Sequence, residues 1–178
     1  MSPLLREFVR VQGRLMDHGE LRAAAEACGL FNAGLPIGWD LVEPLQGGEH
    51  YAPRSDGQPA IIVPVFEYGR LIDLAACTIT PRRTYSRSGN AAFVGWHAVE
   101  DAMTYKTHLH LHDSPIEWLR FAGQGAVVLD WRAARHALAD LQGIICTNDL
   151  LAGHVSRALR QPLHVPQILV PEAARAAA

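Results

Sequence analysis

The second half of the chain alternates short apolar runs with helix-like segments, and this alternation limits the fold more than any other feature. Short strands are predicted at 108–112, 126–129, 144–146 and 165–170. Helices are predicted before, between and after the first three. Short connections between alternating strands and helices favour a parallel sheet covered by helices. We therefore predict a βαβαβαβ unit over residues 97–170, followed by a flexible tail at 171–178.

The preceding segment, 60–96, has the pattern of antiparallel hairpins. Two β-rich runs, 60–66 and 71–80, flank a turn that contains Gly69. A second hairpin is predicted from 84–87 and 91–96, turning at Ser88-Gly89-Asn90. Pro64 lacks a backbone N–H, so we expect an edge or a bulge in the first strand.

The first 59 residues divide into a helical part and an irregular part. Ser2 and Pro3 suit the start of a helix, and residues 1–30 predict a helical hairpin. Residues 31–59 are rich in Gly and Pro and predict a long connecting loop with short extended pieces, such as 39–42. The predicted fold class is α+β / α/β, with an α/β core over 60–170.

Composition restricts the partners of the chain. It has 178 residues and a formal net charge of −2, which argues against a generally basic nucleic-acid binder. No apolar run approaches the ~20 residues of a membrane span, so we expect a cytoplasmic protein without a membrane partner. The basic residues are almost all arginine, which favours bidentate phosphate contacts where they cluster.

Arginines cluster on the predicted second hairpin, and they are our candidate contact surface for nucleic acid. The cluster consists of Arg82, Arg83, Tyr85 and Arg87. Guanidinium groups beside an aromatic ring can hold phosphates and stack on a base. We expect replacement of Arg83 and Arg87 by alanine to weaken phosphate binding and to leave the fold intact. The alternative is a solvated strand face.

A run of histidines, HLHLHD, is the candidate metal site. Alternate strand residues share a face, so His108, His110 and His112 would line one side, with Asp113 at the end. Imidazole and carboxylate suit zinc, iron or manganese, and Asp149 is a further candidate ligand or base. This pattern supports the alternative of a metal-dependent hydrolase-type enzyme with a divalent metal cofactor. Otherwise the histidines pack against neighbours or face water.

Carboxylates that follow the predicted strands give a related possibility. Asp113, Asp130 and Asp149 would lie at the carboxyl edge of a parallel sheet, where ligands bind. Oxygen ligands suit Mg²⁺, although each residue can also cap a helix.

A third alternative is a structural or protein-interaction module, including a homo-oligomer. It depends on four large aromatic residues that could form an interface or simply fill the core. They are Trp39, Trp96, Trp118 and Trp131.

The order of the elements resembles the basal and TOPRIM region of bacterial and phage primases. The stretch PAIIVPVFEYGRLIDLAA, residues 59–76, resembles the basal hairpin, and RRTYSRSGNAAFVGW, residues 82–96, resembles the next one. The stretch IICTNDLLAGHVSRAL, residues 144–159, resembles the TOPRIM region that carries DxDxxG.

The resemblance implies a Glu after the first TOPRIM strand and two Asp after the third, which together hold Mg²⁺. Alignment on Gly153 puts Asn148 and Leu150 at the two Asp positions, with Asp149 between them. The Glu position falls at His112-Asp113. The resemblance therefore implies a non-catalytic member, a bacterial mobile-element accessory protein with a nucleic-acid-related or assembly role.

Overall fold

The computed structural model describes residues 1–31 and 34–160. The chain starts with two helices, α1 (Pro3–Asp17) and α2 (Gly19–Ala27). The side chain of Ser2 accepts a hydrogen bond from the backbone N–H of Leu5 and caps α1. The predicted helical hairpin is confirmed. None of the helices in the described part of the chain has the length and apolar character to cross a membrane.

Five strands form an antiparallel sheet, sheet A, in the order β2-β1-β3-β4-β5. They are β1 (Gly38–Pro44), β2 (Tyr51–Pro53), β3 (Gln58–Glu67), β4 (Arg70–Thr78) and β5 (Arg83–Ser86). The predicted first hairpin is β3–β4. The extended piece predicted at 39–42 lies within β1, but the prediction of an otherwise irregular connecting loop over 31–59 is wrong, because this segment supplies two paired strands of sheet A.

Pro64 lies in a central strand, yet the ladder accommodates it. The pairing of β1 with β3 ends at Gly38 and Ile62, two residues before the proline. A register shift in the β3–β4 ladder then follows at Val65/Phe66. The proline thus sits where one ladder has ended and beside a bulge.

Sheet A is buried on both faces, which explains its long apolar runs. One face packs on α1 through residues such as Val11, Ile62 and Leu74. The other face packs through residues such as Val63 and Ala75 against the second part of the fold.

The second predicted hairpin is wrong, because its two halves lie in different sheets. Strand β5 pairs with β4, whereas β6 (Phe93–Val94) pairs with β8 in the second sheet. The buried carboxylate of Asp73 causes this separation. It accepts hydrogen bonds from the backbone N–H groups of Arg87, Ser88 and Asn90 and so leads the chain away from sheet A.

The remaining elements form sheet B and its helices, in the order β6-β8-β7-β9. They are α3 (Trp96–Tyr105), β7 (His108–His112), α4 (Pro115–Arg120), β8 (Ala126–Val128), α5 (Trp131–Ala139), β9 (Gly143–Cys146) and α6 (Asp149–Arg160). Strand β7 is parallel to both β8 and β9. The α+β class and the parallel βα unit are confirmed. The predicted strand at 165–170 and the tail at 171–178 lie outside the described residues.

Candidate functional site

A cleft of about 950 Å³ lies between sheet A and the carboxyl edge of sheet B. Sheet A contributes the start of β5 and the residues just before it. Sheet B contributes the residues that follow β7, β8 and β9, together with one face of α5 and one face of α6. Parallel strands place their carboxyl ends at one edge, and binding clefts of α/β sheets lie there.

Most of the charged side chains around the cleft are cationic. Its five arginines are Arg82, Arg83, Arg132, Arg135 and Arg157. Its three carboxylates are Glu49, Asp113 and Asp130. The carboxylate of Asp130 is already engaged, because it accepts the backbone N–H groups of Arg132 and Ala133 at 2.8 and 3.1 Å and caps α5. A surplus of positive charge therefore faces the cleft.

Four of these arginines differ from most of those elsewhere in the fold. Across residues 1–31 and 34–160, the structure records no ion pair for Arg82, Arg83, Arg132 or Arg157. All four side chains are exposed. Guanidinium groups that have no carboxylate partner inside the protein are free to bind an anion.

The structure divides the predicted arginine cluster. Arg82 and Arg83 line the cleft. Tyr85 also borders it, but its ring belongs to the core and is only 3% exposed, which leaves little surface for stacking on a base. Arg87 lies outside the cleft lining and donates from Nε to both carboxylate oxygens of Glu7, at 2.9 and 3.1 Å. Its guanidinium also lies 5.8 Å from the ring centre of Tyr51.

The histidine run does not assemble into a metal site. His108 and His110 are exposed, whereas His112 is buried, with Nε2 2.9 Å from the carbonyl oxygen of Gln124. Asp113 and Asp149 are both exposed at strand ends. In the part of the chain that the structure describes, no group of three His, Cys, Asp or Glu residues could hold a metal ion.

Burial shifts the pKa of two side chains near the carboxyl edge of sheet B, His112 and Glu117. Burial lowers the pKa of His112, and the neighbouring His110 contributes, although the hydrogen bond to Gln124 opposes the shift. Burial raises the pKa of Glu117, and the adjacent carboxylate of Asp113 raises it further. Both groups therefore favour their neutral forms.

Strands β7 and β9 are neighbours, which brings the residues after them into contact. The amide Nδ2 of Asn148 donates to Oδ2 of Asp113 at 3.3 Å. The Oδ1 atom of Asn148 accepts the backbone N–H of Leu151 at 2.9 Å, at the start of α6. Both ends of this amide are thus used within the protein.

The Mg²⁺ centre that the TOPRIM resemblance implies does not fit these residues. Leu150 stands at one of the two Asp positions, and its side chain has no ligand atom. Asn148 stands at the other, and its oxygen already caps α6. Hard cations such as Mg²⁺ need several oxygen ligands. The residues that follow β7 and β9 provide few free oxygen atoms, and arginines lie nearby in the same cleft.

The sequence analysis missed Arg132 and Arg157 as site residues. A signal for them exists, since Arg132 stands in the first turn of the helix that follows β8. Leu150, His154 and Arg157 recur at helical spacing and line the cleft from one face of α6. Only the sheet topology shows that these positions face Arg82 and Arg83.

The tryptophans do not form an exposed surface. Trp118 is 2% exposed and donates from Nε1 to the carbonyl oxygen of Gly125 at 2.9 Å. The other three, Trp39, Trp96 and Trp131, are partly buried and pack against the two larger hydrophobic clusters. The tryptophans therefore serve mainly in core packing, and the interaction-module alternative stays a prediction.

Comparison of the chain with family models, with curated proteins and with solved structures found no match.

Proposed function

We propose that this protein is a non-catalytic, TOPRIM-like domain that binds single-stranded nucleic acid in the cleft between its two sheets. The observation that carries the proposal is the convergence of four arginines without ion pairs on one cleft. Two come from the edge of sheet A, Arg82 and Arg83, and two from helices of sheet B, Arg132 and Arg157. Phosphate groups are the common biological anions that such a set of guanidinium groups recognises.

The order of elements and the contact between the ends of β7 and β9 support the TOPRIM-like part of this proposal. Asp113 and Asn148 occupy the positions where the resemblance expects acidic ligands, and their side chains touch. The two Asp positions hold Asn148 and Leu150, which supply no carboxylate, and this supports a binding role rather than phosphoryl-transfer chemistry. A role in a bacterial mobile element stays a prediction from the resemblance.

The size of the cleft favours a single strand over a duplex. Its volume of about 950 Å³ matches a small-ligand cleft, for which about 300–1,000 Å³ is typical. We expect a cleft of this size to admit part of one strand and a double helix to contact only its rim. The partly exposed ring of Trp131 and the exposed Leu150 add apolar surface for bases.

Fluorescence anisotropy at low salt tests the proposal, with labelled oligothymidylate, oligouridylate and a duplex of the same length as probes. We expect the single strands to bind and the duplex to bind more weakly. In the Arg82→Ala/Arg83→Ala/Arg132→Ala/Arg157→Ala variant, we expect binding of the single strands to be lost.

The control Arg6→Ala/Arg70→Ala removes two exposed arginines that do not line the cleft, and it is matched in charge to the double variant Arg82→Ala/Arg83→Ala, measured beside it. Nonspecific attraction to surface charge would weaken binding in the control as well. Absence of binding to all three probes by the wild-type protein would refute the proposal.

A further inference from the structure

We infer that guanidinium groups hold the phosphates of the bound strand directly, in place of a divalent cation, so that binding is independent of metal. The inference rests on the proposed function and concerns the same cleft. It states that arginines replace the metal centre that the TOPRIM resemblance implies.

The donor atoms at the carboxyl edge of sheet B provide the first argument. The two Asp positions hold an amide that is engaged at both ends and a leucine that is 81% exposed, and Asp113 is the one carboxylate left at the third position. Among residues 1–31 and 34–160, no three His, Cys, Asp or Glu residues could hold a metal ion. A cation at this edge would also be repelled by the neighbouring arginines.

The two walls of the cleft provide the second argument. Arg82 and Arg83 lie at the β5 end of sheet A, and Arg132 and Arg157 lie on α5 and α6. A phosphate that enters from solvent therefore meets guanidinium groups that come from both layers of the fold. Charge-assisted bidentate contacts of this kind need no bridging metal.

The experiment measures anisotropy of fluorescein-labelled oligothymidylate at constant ionic strength, in EDTA and in Mg²⁺. We expect the wild-type protein to bind fully in EDTA, where no divalent cation is available, and added Mg²⁺ to weaken binding by competing for the phosphates. A separate titration with salt measures the slope of the logarithm of the binding constant against the logarithm of the salt concentration. The magnitude of this slope should fall by about 0.7 for each arginine removed. We expect the same fall for Arg82→Ala/Arg83→Ala and for Arg132→Ala/Arg157→Ala.

A carboxylate variant separates the two ways of holding a phosphate. If guanidinium groups act alone, Asp113→Asn removes a negative charge from the cleft and strengthens binding. If a metal mediates binding, the same variant loses a ligand and weakens binding in Mg²⁺.

Binding by the wild-type protein that requires Mg²⁺ and disappears in EDTA would overturn this inference and leave the proposed function standing. A salt slope that changes with only one of the two arginine pairs would overturn the two-walled arrangement. Absence of binding in both EDTA and Mg²⁺ would instead refute the proposed function itself.

Discussion

The arginines beneath sheet A and the arginines of the cleft have the same side chain but opposite surroundings. Arg10 and Arg14 both bind the carboxylate of Asp40, which is 2% exposed and joins α1 to β1. The exposed guanidinium groups of Arg82 and Arg83 have no such partner within the described residues. Charge pairing therefore separates arginines that hold the fold together from arginines that are available to a ligand.

The strongest test of the internally paired region is Asp73→Ala. Its buried carboxylate accepts the hydroxyl of Ser86 at 2.6 Å and backbone N–H groups of the following loop at 2.9–3.1 Å. Each buried donor left unsatisfied costs about 1–3 kcal/mol, so we expect a loss of about 3–5 kcal/mol in unfolding free energy. Urea denaturation measures it.

The matched control for that variant is Asp101→Ala on the exposed face of α3, which should change stability by less than about 0.5 kcal/mol. A loss below about 1 kcal/mol in Asp73→Ala would show that Asp73 does not organise the loop between the two sheets.

Two double variants compare the arginine groups directly. Arg10→Ala/Arg14→Ala leaves the buried carboxylate of Asp40 unpaired, and we expect a loss of about 2 kcal/mol. Arg82→Ala/Arg83→Ala removes groups without an ion-pair partner in the described structure, and stability should stay within about 0.5 kcal/mol of wild type. Thermal or urea unfolding of both variants measures the difference, and equal losses would contradict the distinction.

A single variant tests whether Arg87 belongs with the arginines that stabilise the fold or with those of the cleft. Its ion pair with Glu7 is part-buried, and its guanidinium lies over the ring of Tyr51. We expect Arg87→Ala to cost about 1 kcal/mol of stability and to leave oligonucleotide binding unchanged. Arg83→Ala is the matched control. We expect it to leave stability unchanged and to weaken oligonucleotide binding. Weakened binding in Arg87→Ala alone would restore the arginine to the contact surface.

Local sequence pattern was sufficient for part of this fold. The β3–β4 hairpin and the elements from α3 to α6 were predictable because periodicity and capping residues mark them. Strand β2 and the full extent of β1 were not, because glycines and prolines obscure their pattern and their pairing, β2 with β1 and β1 with β3, is set by the sheet. The partner of β5 depends on Asp73, thirteen residues from the Ser86 that it binds.

The candidate site was predictable only where it is continuous in sequence. Arg82 and Arg83 stand out as neighbours, but Arg132 and Arg157 join them only through the packing of sheet B against sheet A. For the same reason the sequence grouped Arg87 with the cleft. Three-dimensional pairing with Glu7 assigns it to the interface of α1.

The smallest expected effect is on the pH dependence of stability. It concerns His112 at the end of β7, a buried ionisable residue that has, among the described residues, no ion-pair partner comparable to the arginines that bind Asp40. Burial lowers the pKa of His112, which faces His110, Asp113 and the ring of Phe121. The folded protein then binds fewer protons than the unfolded chain just below the ordinary histidine pKa of about 6.5. Stability is therefore full above that pH and falls as the pH drops through the folded-state pKa.

The raised pKa of Glu117 acts in the opposite direction, because its effect begins at the ordinary glutamate pKa and extends upward, whereas that of His112 begins near 6.5 and extends downward. Its neutral form is favoured in the folded state, so this contribution is lost as the pH rises from its ordinary value of 4.5 through the folded-state pKa. We expect Glu117→Gln to raise the melting temperature slightly at neutral pH, because an amide replaces a carboxylate beside Asp113.

His112→Gln should flatten the loss of stability below pH 6.5, since an uncharged amide has no proton to bind there. Melting curves of the wild type and both variants across pH 4–8 separate the two contributions, because each variant removes one titrating group. A melting temperature for His112→Gln that follows the wild type throughout would show that acid sensitivity arises elsewhere in the fold.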